Sequence, residues 1–304
     1  MRFLVQIGIV RALMLTSMVL VGVTSCLQKQ KNASLVTTAD TFPAQRTNKN
    51  NAGALLQYWD NFDFEDSNAI NNPAIAEQAF VDFLAAAARV PDSLSSMAIK
   101  NMLTRAKSHT HALEYFTQQS EHYLYDPNSP MRSDALYEPV LEFLLDSTRL
   151  NDASKFRFQE RLRMAQKNKA GQPALDFDFE LPTGKKTSLY AIKGAFTMLI
   201  FYEPDCPHCQ STLADLKASQ PFQQLVAKAR LKILTVYAGG SERLWSDYQA
   251  QIPASWTNGF DRANSIRQQQ LYDLRGSPTI YLLDKDKRVI LKDTNLNQVA
   301  LLLT

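Results

Sequence analysis

The stretch from Phe196 to Cys209, FTMLIFYEPDCPHC, constrains the fold of this chain more than any other. Phe196 to Tyr202 is an apolar run of strand length. Directly after it, Cys206-Pro207-His208-Cys209 opens a segment whose Leu213 and Leu216 fall at helical spacing. Strand, two cysteines two residues apart at a helix start, then helix is an arrangement suited to reversible thiol chemistry. Cys206 takes the N-cap position and Pro207 the first helical position, where its missing N–H costs nothing. The unpaired backbone N–H groups and the positive end of the helix favour a thiolate on Cys206. Cys209, one turn on and more buried, is set to attack a mixed disulfide formed at Cys206 and release the product.

Around this motif, strands and helices alternate from about residue 169 to the end. Phe177, Phe179 and Leu181 alternate with polar residues ahead of a turn at Thr183-Gly184, which predicts a hairpin. Leu231 to Tyr237 reads as a second buried strand and Ser241 to Gln251 as a helix. Thr279 to Asp284 and Arg288 to Lys292 read as strands about a turn, with a last helix from about Asn295. The alternation predicts a central mixed β-sheet flanked by helices over 169–304.

Residues 52–168 carry a different pattern. Ala76, Phe80, Phe83, Leu84 and Ala87 share one helical face, and Ile99, Met102, Leu103, Ala106, Leu113 and Phe116 another. Ser133 is the expected N-cap for a helix bearing Leu136, Val140, Phe143 and Leu144, and a further helix covers about Ala153 to Gln166. The expectation is an all-α domain without a strand. Nothing in it is catalytic in type: His109 and His111 point apart on a helix, and the aromatic cluster in YWDNFDFED, Tyr58 to Asp66, suits packing better than partner capture.

The first 25 residues have Arg2 and Arg11, then an apolar stretch from Ala12 to Val23 too short for a comfortable membrane span, as in a signal peptide. Val23-Thr24-Ser25-Cys26 resembles the bacterial lipobox, in which the cysteine is lipidated after cleavage. That use of Cys26 leaves Cys206 and Cys209 as a pair among the three cysteines. Residues 26–51, polar and without apolar period, are expected to be a flexible tether. Removing Arg2 and Arg11 from 33 basic residues leaves 31 against 30 acidic ones, so charge points to no nucleic-acid partner. Export implies a cell-envelope setting, and the expectation is a lipid-anchored protein facing the periplasm, where disulfides persist.

With these residues in view, 169–304 resembles the thioredoxin-like superfamily, in particular the membrane-tethered TlpA/ResA-type thiol-disulfide oxidoreductases. The matching stretches are GQPALDFDFELPTGKKTSLYAIKG, FYEPDCPHC and LRGSPTIYLLDKDKRVI. Residues 52–168, with YWDNFDF and YLYDPNSPMR, resemble a helical domain of unknown function that precedes such domains in Bacteroidota lipoproteins. The resemblance implies Cys206 as nucleophile, Cys209 as resolving thiol, and Pro278 as a cis-proline that contacts substrate backbone together with Ser277. It implies no cofactor beyond the redox-active Cys206–Cys209 pair and no metal. Implied partners are envelope proteins bearing thiols or disulfides, with a membrane redox partner possible for the couple.

Two departures from the family stand out. Asp205 occupies a position where tryptophan is common, with Glu203 two residues before it, and Ile200 stands where a buried acid often assists proton transfer. Asp205 and Glu203 oppose negative charge on Cys206, whereas the helix start, Pro207 and a protonated His208 favour it, which leaves the redox direction open. Three other roles for the cysteine pair are disfavoured on chemistry. Zinc needs about four ligands, and one C-x-x-C supplies too few. A purely structural disulfide within one turn closes almost no loop. A peroxidase of this fold lacks its threonine-cysteine context here. The alternative of another class is a non-catalytic envelope binding lipoprotein with a vestigial thioredoxin fold.

Overall fold

Helices fill the first half of the described chain because apolar residues recur there every three or four positions and polar side chains cap the ends. The computed structural model describes residues 49–303. The signal peptide, Cys26 and nearly all of the expected tether lie outside the described residues. Among the described residues, seven helices come first: α1 Lys49–Leu56, α2 Ser67–Ile70, α3 Gln78–Ala87, α4 Asp92–Ala106, α5 Thr110–Ser120, α6 Asp134–Ser147 and α7 Asp152–Ala165. Helix α1 begins inside the segment expected as tether. The Ser133 hydroxyl accepts from the Leu136 N–H and the Asn151 side chain from the Ser154 N–H, so α6 and α7 start at capping residues.

One expectation here is corrected. The single apolar face from Ile99 to Phe116 is divided between α4 and α5, because His109 adopts extended backbone angles of φ −127° and ψ 104° at the N-cap of α5. No proline or glycine marks the break, so periodicity alone ran through it. The aromatic cluster of the YWDNFDFED stretch is core. Phe116 is fully buried, and the rings of Trp59, Phe62, Phe64 and Phe80 lie 5.1 to 5.9 Å from it.

The second half is built on a seven-stranded mixed sheet. Its strands are β1 Asp178–Glu180, β2 Lys186–Ser188, β3 Phe196–Phe201, β4 Leu231–Tyr237, β5 Thr257–Phe260, β6 Thr279–Leu283 and β7 Val289–Leu291, in the order β2-β1-β5-β4-β3-β6-β7. β3, β4 and β5 are parallel neighbours, while β6 runs antiparallel to β3 and β1 antiparallel to β5. β3 is buried on both faces: Met198 and Ile200 point into one apolar cluster, Leu199 and Phe201 into the other, as the period of two requires. The first cluster packs against helices α8 Pro207–Ala218, α9 Gln220–Ala227, α10 Glu242–Tyr248 and α12 Leu296–Leu303; the second includes Ile266 of α11 Ser265–Gln268. β5 was not anticipated from sequence. Its Gly259 is required by packing, since a Cβ there would lie 2.4 Å from the Phe179 ring of β1.

The described residues form one compact unit, so the helical region and the sheet region are packed together rather than strung on a linker. Lys292, after β7, joins them. Its ammonium donates to the Ala165 and Lys167 carbonyls at 2.9 and 2.7 Å, satisfying the end of α7, and pairs with Asp134 at 2.7 Å.

Candidate functional site

The end of β3 and the start of α8 carry the cysteines. After β3 the chain turns through Glu203, Pro204 and Asp205, closed by the Cys206 N–H donating to the Glu203 carbonyl at 3.2 Å. Cys206 sits at the N-cap of α8 in extended conformation, with Pro207 at the first helical position. Its sulfur accepts from the Cys209 N–H at 3.4 Å, so the first turn of the helix is aimed at it. Cys206 is half-buried and Cys209 buried, both as free thiols.

A loop distant in sequence completes the site. The Ser277–Pro278 bond, just before β6, is cis. The Ser277 carbonyl accepts from the Cys206 thiol at 3.8 Å, and its hydroxyl lies 3.0 Å from the Cys209 sulfur. Ser277, named from sequence only as a substrate contact, therefore touches both sulfurs.

Burial pushes the Cys209 thiol up to about 11. Cys206 adds to the rise, whereas the Glu203 N–H, 3.5 Å from the sulfur, and the Ser277 hydroxyl act against it. Cys209 is thus held as a neutral thiol at neutral pH.

The remaining residues named from sequence are distributed unevenly. Pro207, His208 and Asp205 are exposed, so the Asp205 carboxylate lies in solvent beside the motif. Glu203 is partly buried and forms an ion pair with Arg267, whose Nε is fixed by the Ala238 carbonyl at 2.9 Å. Burial raises the Glu203 carboxyl above its ordinary range, with Arg267 opposing and Asp205 reinforcing the shift. Ile200 is wholly buried in the apolar layer beneath α8.

Sequence reasoning passed over a buried polar group beside this layer. The Tyr202 hydroxyl donates to Asn258 Oδ1 at 3.1 Å, and Thr235 donates to the same oxygen at 3.1 Å. Burial raises the Tyr202 phenol well above its usual value, with the Cys209 sulfur among the lesser causes. The one signal in the sequence was a tyrosine ending an otherwise apolar strand. Among the described residues, no group of three or more His, Cys, Asp or Glu is arranged to hold a metal ion, and no helix is long and apolar enough to cross a membrane.

Comparison with known proteins follows the same division. Residues 42–168 match a domain of unknown function (DUF5106), and residues 194–289 match a thioredoxin-like family. No curated protein matches. Among solved structures, a thioredoxin-like protein from Bacteroides caccae aligns at 34% identity over 88% of this chain and 99% of its own, with a TM-score of 0.79. The C-terminal domain of an uncharacterized protein from Bacteroides fragilis aligns at 38% identity over 45% of this chain and 97% of its own, with a TM-score of 0.44. The thioredoxin domain of a thiol-disulfide oxidoreductase from Bacteroides vulgatus aligns at 18% identity over 45% of this chain and 99% of its own, with a TM-score of 0.40.

Proposed function

This chain belongs to the thioredoxin-like family, and on that premise we propose that it is a thiol-disulfide oxidoreductase exchanging the Cys206–Cys209 dithiol and disulfide with protein thiols. The observation that carries the reading is the meeting of both sulfurs at Ser277, next to the cis Pro278, with Cys206 accessible and Cys209 not. In the reducing direction, the Cys206 thiolate attacks one sulfur of a substrate disulfide. A Cys206–substrate disulfide forms and the first substrate sulfur leaves as a thiolate that takes a proton. Cys209 then loses its proton and attacks the Cys206 sulfur. The mixed disulfide breaks, the second substrate thiol leaves, and two electrons have passed from the pair to the substrate.

The reverse sequence oxidises a substrate dithiol. A reduction potential near about −120 mV would make the chain an oxidant, and one near about −270 mV a reductant. We further propose that it acts in the cell envelope, lipid-anchored through Cys26 and facing the periplasm; the Val23–Cys26 sequence supports this. Its partners would be envelope proteins with thiols or disulfides, with a membrane redox partner recharging the pair. Replacing Cys209 by Ser removes the resolving step, so Cys209→Ser is expected to accumulate Cys206-linked adducts, seen as reducible bands on non-reducing gels of cells expressing the full chain. A variant that traps no thiol-linked adduct would overturn the proposal in favour of a non-catalytic binding role.

A further inference from the structure

The loop that carries Gly276, Ser277 and Pro278 is held from one side by the helical region. Arg275 donates through Nη1 to the Tyr125 carbonyl at 2.8 Å, and its guanidinium stands 3.5 Å from the centre of the Tyr125 ring. Arg132, in the loop before α6, reaches Asp293 at 2.9 Å and Asp273 at 3.8 Å. A Cβ on Gly276 would lie 3.1 Å from Arg132 Nη1 and 3.4 Å from the Pro127 Cβ. Gly276 thus lies against both residues of the helical region. These contacts come from the part of the chain that matches a domain without assigned function.

Where the two regions part, they leave an open groove of about 620 Å³. One wall holds His208, Pro278 and Thr279, beside the accessible cysteine. The other is formed by Pro130, Ala135 and Glu138 of the helical region. Each lysine and arginine lining it already faces a carboxylate: Lys169 with Glu138 at 2.6 Å, Lys292 with Asp134 at 2.7 Å, and Arg132 with Asp293 at 2.9 Å. A small anionic disulfide is normally held by free cations, and this lining offers no lysine or arginine without a carboxylate partner. An extended polypeptide needs no net charge to be held, only surface and backbone partners. On the helical wall, α6 carries the buried Pro139, which lacks the N–H that the Ala135 carbonyl would accept in a regular helix.

We propose that the helical region is a working part of the redox site. Its segment 125–138 holds the Ser277–Pro278 loop in place and forms the second wall of a groove that admits an extended, cysteine-bearing segment of a protein and disfavours small anionic disulfides. This rests on the exchange reading above and adds the part that the helical region plays in choosing the substrate. The chemical step is unchanged: the Cys206 thiolate attacks a sulfur of the bound segment's disulfide, and the partner sulfur leaves as a thiol.

The test uses the reduced full chain in single-turnover exchange with two probes, oxidised glutathione and an unstructured uncharged peptide carrying one disulfide. Ala135→Trp and Ala170→Trp each place an indole in the groove from an exposed position. The ratio of peptide rate to glutathione rate is expected to favour the peptide in the parent chain, and to fall about tenfold in each variant as the indole excludes the backbone. Variants that keep the parent ratio would overturn the groove while leaving exchange intact. So would a parent chain that reacts faster with oxidised glutathione than with the peptide. A parent chain inert to both probes would overturn the exchange reading itself.

Discussion

Cys209 is the group whose environment predicts the sharpest behaviour. Its thiol is raised from an ordinary 9.0 to about 11, chiefly by burial. At pH 7 that leaves about one Cys209 in ten thousand as thiolate, against about one in a hundred for an ordinary thiol, a hundredfold deficit. The perturbation that isolates it is a Cys26→Ala/Cys206→Ser chain, in which Cys209 is the remaining thiol of the three cysteines. Losing Cys206 removes the smaller raising influences and leaves burial, the largest, in place. The alkylation rate by iodoacetamide, followed by mass spectrometry, should therefore rise tenfold per pH unit up to about pH 10 without levelling, because the reactive species is still a minor fraction there. Circular dichroism across the same range checks that the fold persists. A plateau at or below about pH 9 would refute the reasoning, since it would mean that burial does not disfavour the charged form. In the proposed mechanism the elevated value has a use. A resting Cys209 does not compete for substrate disulfides, and resolution waits until a proton acceptor meets the mixed disulfide.

Two further outcomes follow from burial elsewhere. Asp293 is raised from 3.8 to about 6 by burial, with Asp134 and Asp273 adding to the rise and Arg132 and Lys292 opposing it. Because its folded value lies above the unfolded one, the folded state loses stability as pH rises from about 4 to about 6, by up to about 3 kcal/mol. Asp293→Asn, tolerated at its φ of 49° as few side chains are, should be more stable than the parent in urea above pH 6 and should converge with it below about pH 4. A stability gap independent of pH would contradict this. Phe116→Ala empties the centre of the aromatic cluster around Trp59 and should cost about 3–5 kcal/mol in urea unfolding; a loss below about 1 kcal/mol would show that the neighbouring rings collapse into the space.

Much of this architecture was legible before any coordinates. The run from Phe196 to Tyr202, the capped helix at Cys206, the hairpin at Thr183-Gly184 and the Ser133 cap are all written within a few residues of themselves, and local propensity and periodicity act over that range. β5 was missed because Thr257-Asn258-Gly259-Phe260 has no alternation of its own and is a strand through pairing with β4 and β1. Asp205, prominent in the sequence beside Cys206, proved to be exposed, and Glu203, less conspicuous, is the partly buried carboxylate that pairs with Arg267.

The sequence by itself therefore determined where a reactive cysteine pair opens a helix and which segments could bury themselves around it. Only the tertiary structure decided what the pair meets. Ser277 reaches Cys206 across 71 positions of chain, and Arg132 reaches Asp293, behind the same loop, across 161. Such contacts depend on the path of the whole chain and on the exclusion of water at the junction, and neither is encoded in the spacing of any one segment.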